Sequence, residues 1–380
     1  MIYLDNAATS RPKPAGVAEA VVNAMQTCGN SGRGGNSEAL AASRTVFQVR
    51  QRIARLLGCP RVERVAFTPN STAALNTAIS GLLGPGDHII STDLEHNSVL
   101  RPLYRLRAQG AEVDFVPADR NGQLDYTAFE KLLRPNTKAV VCTHGSNLTG
   151  DLVDIDFVGN FCREHKLLFI LDASQTAGVF PIDMVKQHID VVCFTGHKSL
   201  LGPQGTGGLC VAEGVDVRPL VVGGTGVQSF LETQPDAFPE HLEAGTLNTH
   251  GLAGLGASLK FLEETGIDNI RAHEAALADR FYQGVKDIPG IRIYGNHDVA
   301  LRAPVVALNL GDADSAEISD ELNVRFGIAT RPGAHCAPRL HRALGTEEQG
   351  AVRFSWSWAN TEEETDAAIA AIKTLASEVL

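Results

Sequence analysis

An open α/β sheet of mainly parallel strands, followed by a smaller α+β unit, is the architecture that the chain's patterning predicts. Three features carry this. Between about Val62 and Val211, short β-branched apolar runs alternate with segments of helical period, the rhythm of βαβ units. From about Gly251 the pattern changes to amphipathic helices joined by the strand-like runs RAPVVALNL and AVRFSWSW. The length of 380 residues also exceeds the size at which one hydrophobic core stops growing, so two packed domains are expected. The expected division is a large α/β domain over residues 15–250 and a small α+β domain formed by 1–14 with 251–380.

In chain order the strands of the sheet are RVAFT, DHIIST, EVDFVPA, KAVVCTH, LLFILD, DVVCFTG and GGLCVA, uninterrupted by any repeat or low-complexity linker. After the first strand, PNSTAALNTAISGLL reads as a strand-to-helix junction. Its Asn70, Ser71 and Thr72 offer hydroxyls and free N–H groups at a helix N-terminus, which suits a phosphate, the plainer alternative being a simple N-cap. LAGLGASLKFLEETG reads as the first amphipathic helix of the second unit.

Composition narrows the class. Hydrophobic residues make up 44% and charged residues 20%, and no apolar run approaches the roughly eighteen residues needed to span a membrane. MIYLDNAATS lacks the basic start and apolar core of a secretory signal, so a cytoplasmic protein with reduced thiols is expected. A net charge of −11 argues against nucleic acid as a partner. Seven cysteines without a CxxC pair support neither a disulfide framework nor a metal site. Cys142, Cys162, Cys193 and Cys210 lie in apolar stretches, as small buried hydrophobes do. Cys336, in RPGAHCAPRLHR, has a polar, glycine-punctuated and cationic neighbourhood of the kind that lowers a thiol pKa.

The chemically suggestive residues share one address. Asn70 to Thr72, Glu95 and His96, Asn147, Asp172 and Gln175, and His197 and Lys198 each follow a predicted strand, at the edge where open α/β sheets bind ligands. Lys198 is one of nine lysines, and with Asp172 and the Asn70–Thr72 turn it meets the needs of pyridoxal phosphate: an amine to hold the cofactor, a carboxylate for the ring nitrogen and a phosphate cradle. His96 suits a ring stacked on a flat cofactor. GPQGTGG and GGTG match no nucleotide-binding fingerprint and read as tight turns. His335 beside Cys336 has no metal-ligand spacing, and a Cys/His dyad there would need a third group from elsewhere.

YLDNAATS, FTPNSTAALN, EHNS, SNLTG, LDASQTAG, TGHKSLLGPQGTGGL, EAGTLNT and RPGAHCAP, in this order, resemble the motifs of the cysteine desulfurase and selenocysteine lyase family, pyridoxal phosphate enzymes of the class V aminotransferase group, over nearly the whole chain. The resemblance implies the aspartate aminotransferase-like fold, fold type I. It implies that Lys198 carries the cofactor, Asp172 pairs with the pyridine nitrogen, Gln175 touches the phenolic oxygen and His96 stacks on the ring and serves catalysis. Ser71, Thr72, Thr195 and His197 would bind the phosphate, and Asn147, Arg353 and Ala7 the substrate. Thr246 matches a residue that reaches the phosphate of a second subunit, which implies a homodimer with shared active sites. Cys336 matches the nucleophile that becomes a persulfide when L-cysteine is converted to L-alanine, its pKa lowered by Arg331, by a protonated His335 and by the cofactor's field.

The compact loop around Cys336 resembles the branch related to selenocysteine lyases, so unaided sulfur transfer is expected to be slow and a sulfur-acceptor protein is implied. Two departures bear on the substrate: Ala73 stands where the family often has glutamate, and RGGNS lacks a histidine often found near it. L-Selenocysteine is the alternative substrate. Other readings are a lyase or epimerase that leaves Cys336 idle, and, from another class, a dinucleotide binder or a non-catalytic sulfur-assembly scaffold.

Overall fold

All seven strand-like runs between Val62 and Val211 pair into one sheet in the computed structural model, which describes residues 1–32 and 35–379. Arg33 and Gly34, which open the RGGNS stretch, lie outside the described residues. The elements run β1 (Ile2–Tyr3), α1 (Ala15–Thr27), α2 (Ser37–Leu56), β2 (Val65–Thr68), α3 (Ser71–Leu82), β3 (His88–Thr92), α4 (Asn97–Ala108), β4 (Glu112–Val116), α5 (Ala128–Leu132), β5 (Thr137–Thr143), α6 (Ile155–His165), β6 (Leu168–Asp172), β7 (Val191–Thr195) and β8 (Gly207–Val211). There follow α7 (Thr249–Thr265), α8 (Ile267–Val285), β9 (Ile291–Tyr294), β10 (Val305–Leu310), α9 (Ser315–Phe326), β11 (Ile328–Ala329), α10 (Pro338–Leu344), β12 (Val352–Ser355) and α11 (Glu362–Val379).

The large sheet has the order β2-β8-β7-β6-β5-β3-β4. Strands β7, β6, β5, β3 and β4 are parallel, and β8 runs against both of its neighbours, so β2 points the same way as the parallel five. Both faces are covered. Val140 and Cys142 of β5 join a core with α2, α6 and α7, whereas Ala139 and Val141 join another with α3 and α4. A strand buried on both sides has no polar face, which is why β5, β6 and β7 are centred on continuous apolar runs, whereas β4 at the sheet's edge alternates Glu112 and Asp114 with Val113 and Phe115.

The last third of the chain builds a smaller antiparallel sheet in which β10 lies between β9 and β12. Strand β1 pairs in parallel with β11, Ile2 opposite Ile328, and Leu4 is buried with Val306, Leu308 and Phe354. The chain's first residues therefore pack with its last third. Helix α7 sends Leu252, Leu255, Leu259 and Leu262 into the core beneath the large sheet.

Glycines in β8 set how closely the sheet's outer strands approach. A Cβ at Gly207 would lie 2.8 Å from the backbone of Asn70, and one at Gly208 would lie 2.4 Å from Ala66 O. The turn that opens α3 thus rests directly on a bare stretch of β8. Gly207→Ala is expected to destabilise the protein by roughly 1–3 kcal/mol through overpacking against backbone that has nowhere to go. Gly84→Ala, where a Cβ would meet nothing within 4 Å, should change stability by less than about 0.5 kcal/mol. Urea denaturation of the two variants measures the contrast.

Candidate active site

Five loops meet at the carboxyl edge of the large sheet around a cavity of about 240 Å³. Its wall includes Ala7, Ser71, Thr72, His96, Asn147, Asp172, Gln175, Thr195, His197, Lys198 and Arg353. Local chemistry fixes each. Asn70 caps α3, its side chain accepting from Ala73 N at 3.0 Å, and this places Ser71 and Thr72 in the first turn. His96 caps α4, with Nδ1 accepting from Ser98 N at 3.0 Å, so the ring proton belongs on Nε2. Asp172 ends β6; its Oδ1 accepts from Ser174 N at 3.0 Å and from Ser174 Oγ at 2.5 Å, leaving Oδ2 outside these bonds. Gln175 Nε2 donates to Ala7 O at 3.1 Å, which draws the N-terminal segment onto the site.

Burial sets the charges. Desolvation brings the Lys198 ammonium down to about 8; Asp172 opposes the shift, and Arg353 and Arg331 reinforce it. His96 and His197 are each driven to about 4, chiefly by desolvation and then by Lys198, so both rings are neutral near pH 7. Arg353, only 1% exposed, donates to Asn147 O at 2.8 Å and to Asp5 Oδ1 at 2.7 Å. The backbone carbonyl of His197 gathers Ser10 N at 3.0 Å, Thr9 Oγ1 and Ser10 Oγ at 3.2 Å and Lys13 Nζ at 2.8 Å. The peptide that leads into Lys198 is therefore clamped from the N-terminal side.

Several polar atoms on the cavity-lining residues are buried with no hydrogen-bond partner among the described residues: Asn147 Oδ1, Thr195 Oγ1, His197 Nδ1 and Arg353 Nε. Orphaned groups of this kind are costly unless a bound molecule satisfies them. The donor set fits pyridoxal phosphate, with hydroxyls at a helix N-terminus beside His197, and an amine and a carboxylate on neighbouring strands.

Some expected residues are placed differently. Glu95 follows β3 as His96 does, yet it does not reach the cavity: it is fully buried, accepting from Thr92 Oγ1 at 2.6 Å and Thr143 N at 3.1 Å. His335 is not the cation expected beside Cys336. It is buried, its Nε2 donates to Arg331 O at 3.0 Å, its ring stacks on His341 at 5.8 Å, and desolvation takes it to about 3, so it is uncharged. Cys336 is exposed and lies in an adjoining hollow of about 390 Å³ that shares Thr72, His96 and Ser98 with the cavity. Both residues have positive φ, +50° and +56°, and the turn sends one side chain inward and the other outward. Asn147 Nδ2 donates to His335 O at 2.7 Å and Asn97 N to Cys336 O at 2.8 Å, two anchors of the thiol's loop that the sequence did not announce. Thr246 stands outside the cavity, lining hollows of about 470 and 400 Å³ elsewhere on the chain. Cys142, Cys162, Cys193 and Cys210 are buried, as their apolar settings predict.

Burial pushes the Glu95 carboxyl up from 4.5 to about 8, against the hydrogen bonds from Thr92 and Thr143. A carboxyl whose pKa is raised on folding contributes stability that is full below its unfolded pKa and lost as pH rises through the folded one. Glu95→Gln keeps the acceptor oxygen and cannot ionise. Its stability relative to wild type should therefore climb as pH rises from 4.5 to about 8. Thermal denaturation across this range reads the effect, and a constant difference between the two proteins would mean that folding does not raise the Glu95 pKa.

A family model for class-V aminotransferases matches residues 2–368. A probable cysteine desulfurase of Methanothermobacter thermautotrophicus is 33% identical over 370 residues, which is 96% of this chain and 92% of that protein. The apo structure of cysteine desulfurase from Thermococcus onnurineus NA1 superposes with a TM-score of 0.93 at 30% identity, covering 99% of this chain and 95% of that one. The cysteine desulfurase CsdA of Escherichia coli superposes with a TM-score of 0.88 at 28% identity, over 100% and 95%. With a fold type I architecture and a cavity that fits the cofactor, the chain belongs to the pyridoxal phosphate-dependent class-V aminotransferase family, in its cysteine desulfurase branch.

Proposed function

We propose that the protein is a cysteine desulfurase that converts L-cysteine to L-alanine and keeps the sulfur as a persulfide on Cys336 for delivery to an acceptor. The observation that carries this is the exposed Cys336 thiol in a hollow sharing a wall with the Lys198 cavity. Lys198 would hold the cofactor, Asp172 would face its ring nitrogen and favour a proton there, and the neutral His96 ring would offer it a flat face. Ser71, Thr72, Thr195 and His197 would receive the phosphate, and Gln175 the phenolic oxygen. Pyridoxal phosphate, when bound, supplies an electron sink for the pair left on the substrate's Cα.

Arg353, braced by Asp5, and Asn147 take the substrate carboxylate at the side where Ala7 closes the wall. Lys198 Nζ moves the Cα proton. Its depressed pKa of about 8 keeps part of the amine unprotonated near neutrality, as a base requires. The Cys336 thiolate then attacks the substrate sulfur; the S–C bond breaks with its electron pair left on Cβ, and protonation of Cβ together with return of a proton from Lys198 Nζ to Cα completes alanine. With His335 neutral, Arg331 is the fixed cation of this loop.

Exposed Leu220, Val221, Val222, Phe230 and Leu231, on the segment that leads to Thr246, support a homodimer in which Thr246 completes the partner's phosphate site. No helix among the described residues is long and apolar enough to cross a membrane, and a cytoplasmic setting would keep Cys336 reduced.

Borohydride reduction of the holoenzyme followed by peptide mapping should label Lys198, and a label on any other lysine ends its assignment. In Cys336→Ala the cofactor-binding residues are untouched, so the yellow colour should persist while sulfur release and alanine formation from cysteine fall to background. Alanine formed at the wild-type rate by this variant would make Cys336 a bystander.

A further inference from the structure

The hollow that holds Cys336 is cationic in a chain whose net charge is −11. Helical spacing along α4 sets Asn97, Arg101 and Arg105 in one row, and all three line the hollow with Cys336. Both arginines are exposed. Arg105 donates to Ser80 Oγ, a neutral oxygen, at 2.6 Å. Neither guanidinium pairs with a carboxylate among the described residues, whereas Arg339 and Arg342, just past the thiol, pair with Asp93 and Glu347. No acidic side chain lines the hollow among the described residues. Helix α4 also begins here, its Asn97 N–H bound to Cys336 O, so the positive end of its dipole adds to the field at the thiol.

Sulfur leaves Cys336 by exchange between two sulfur groups. The acceptor's thiolate attacks the outer sulfur of the persulfide, and a new S–S bond forms as the bond to Cys336 Sγ breaks. The electron pair of the broken bond stays on Sγ as thiolate, and the outer sulfur departs on the acceptor with the proton or charge it already bore. No oxidant or reductant enters. The attacking group is an anion, and an unpaired guanidinium beside its path favours an acceptor that brings further negative charge.

We propose that this hollow is the docking site of the sulfur acceptor, and that Arg101 and Arg105 select a cysteine-bearing peptide segment flanked by acidic side chains. The inference rests on the persulfide reading above. Its test loads Cys336 with sulfur from cysteine, removes the excess, and mixes the enzyme with the acetylated, amidated tripeptides Glu-Cys-Glu, Gln-Cys-Gln and Lys-Cys-Lys. Loss of the persulfide is followed by intact mass for wild type and for the Arg101→Gln, Arg105→Gln double variant. Each peptide is compared with itself on the two proteins, so its intrinsic thiol reactivity cancels.

At low salt the double variant should discharge to Glu-Cys-Glu about three- to tenfold more slowly than wild type, to Gln-Cys-Gln within about twofold, and to Lys-Cys-Lys faster. High salt should shrink the differences. Arg101→Gln alone, which breaks no internal bond, should give the same ranking at smaller size. Equal ratios for the three peptides overturn the charge-selective site and leave the persulfide reading standing. A wild-type Cys336 that gains no sulfur at the loading step overturns both before any peptide is added.

Discussion

A partly desolvated amine held in a recessed cavity with a carboxylate is the constraint on which the rest of this structure depends. Lys198 loses hydration when it leaves the end of β7, and Asp172 at the end of neighbouring β6 returns only part of that cost. Two adjacent parallel strands are what bring the pair together, so the sheet must be parallel at its centre. The antiparallel β8 then has to fit beside β7 without pushing on the α3 turn, and bare glycines let it do so. Glu95 shows the same cost of desolvation: burial raises its carboxyl pKa, Asp172 adds a smaller repulsion, and Glu95 is held neutral.

The loop bearing Cys336 solves an opposite problem. Its thiol must reach out of the fold while its backbone stays fixed against the cavity. Two consecutive left-handed residues turn the chain sharply, and side chains or amides from two separate loops grip the carbonyls of His335 and Cys336. Asn147 is thereby a strut as well as a wall of the site. His335 fills the inward position as a neutral ring, and the positive charge around the thiol comes from arginines.

Much of this was legible in the sequence, for reasons that particular residues make plain. The central strands of the large sheet could be read because burial on both faces leaves them continuously apolar, and β4 because its charged and apolar residues alternate. Strand β9, Ile291–Tyr294, is short and only partly buried, and β1 and β11 have two residues each, too few to display a period. Most cavity residues were readable because each follows a strand, which fixes the edge it serves. That rule does not say which way a side chain turns: Glu95 and His96 are neighbours, and only His96 meets the cavity. Nor does sequence report the desolvation that leaves His335 uncharged, since the same letters beside Cys336 read as a cation until the ring is seen packed on His341.

The threading of the N-terminus has a consequence for the order in which the protein is completed. Asp5 pairs with Arg353, Asn6 Nδ2 bonds Ser355 O across 349 positions, and Thr9, Ser10 and Lys13 seize the carbonyl of His197. Asp5 and Asn6 thus wait for partners 348 and 349 positions further along the chain. His197 can hold Thr9, Ser10 and Lys13 before β12 exists, but Asp5 and Asn6 lack Arg353 and Ser355 until that strand follows, and contacts of such long sequence separation are slow to form. The cavity wall that includes Ala7 and Arg353 therefore closes only when residues 5–7 meet β12.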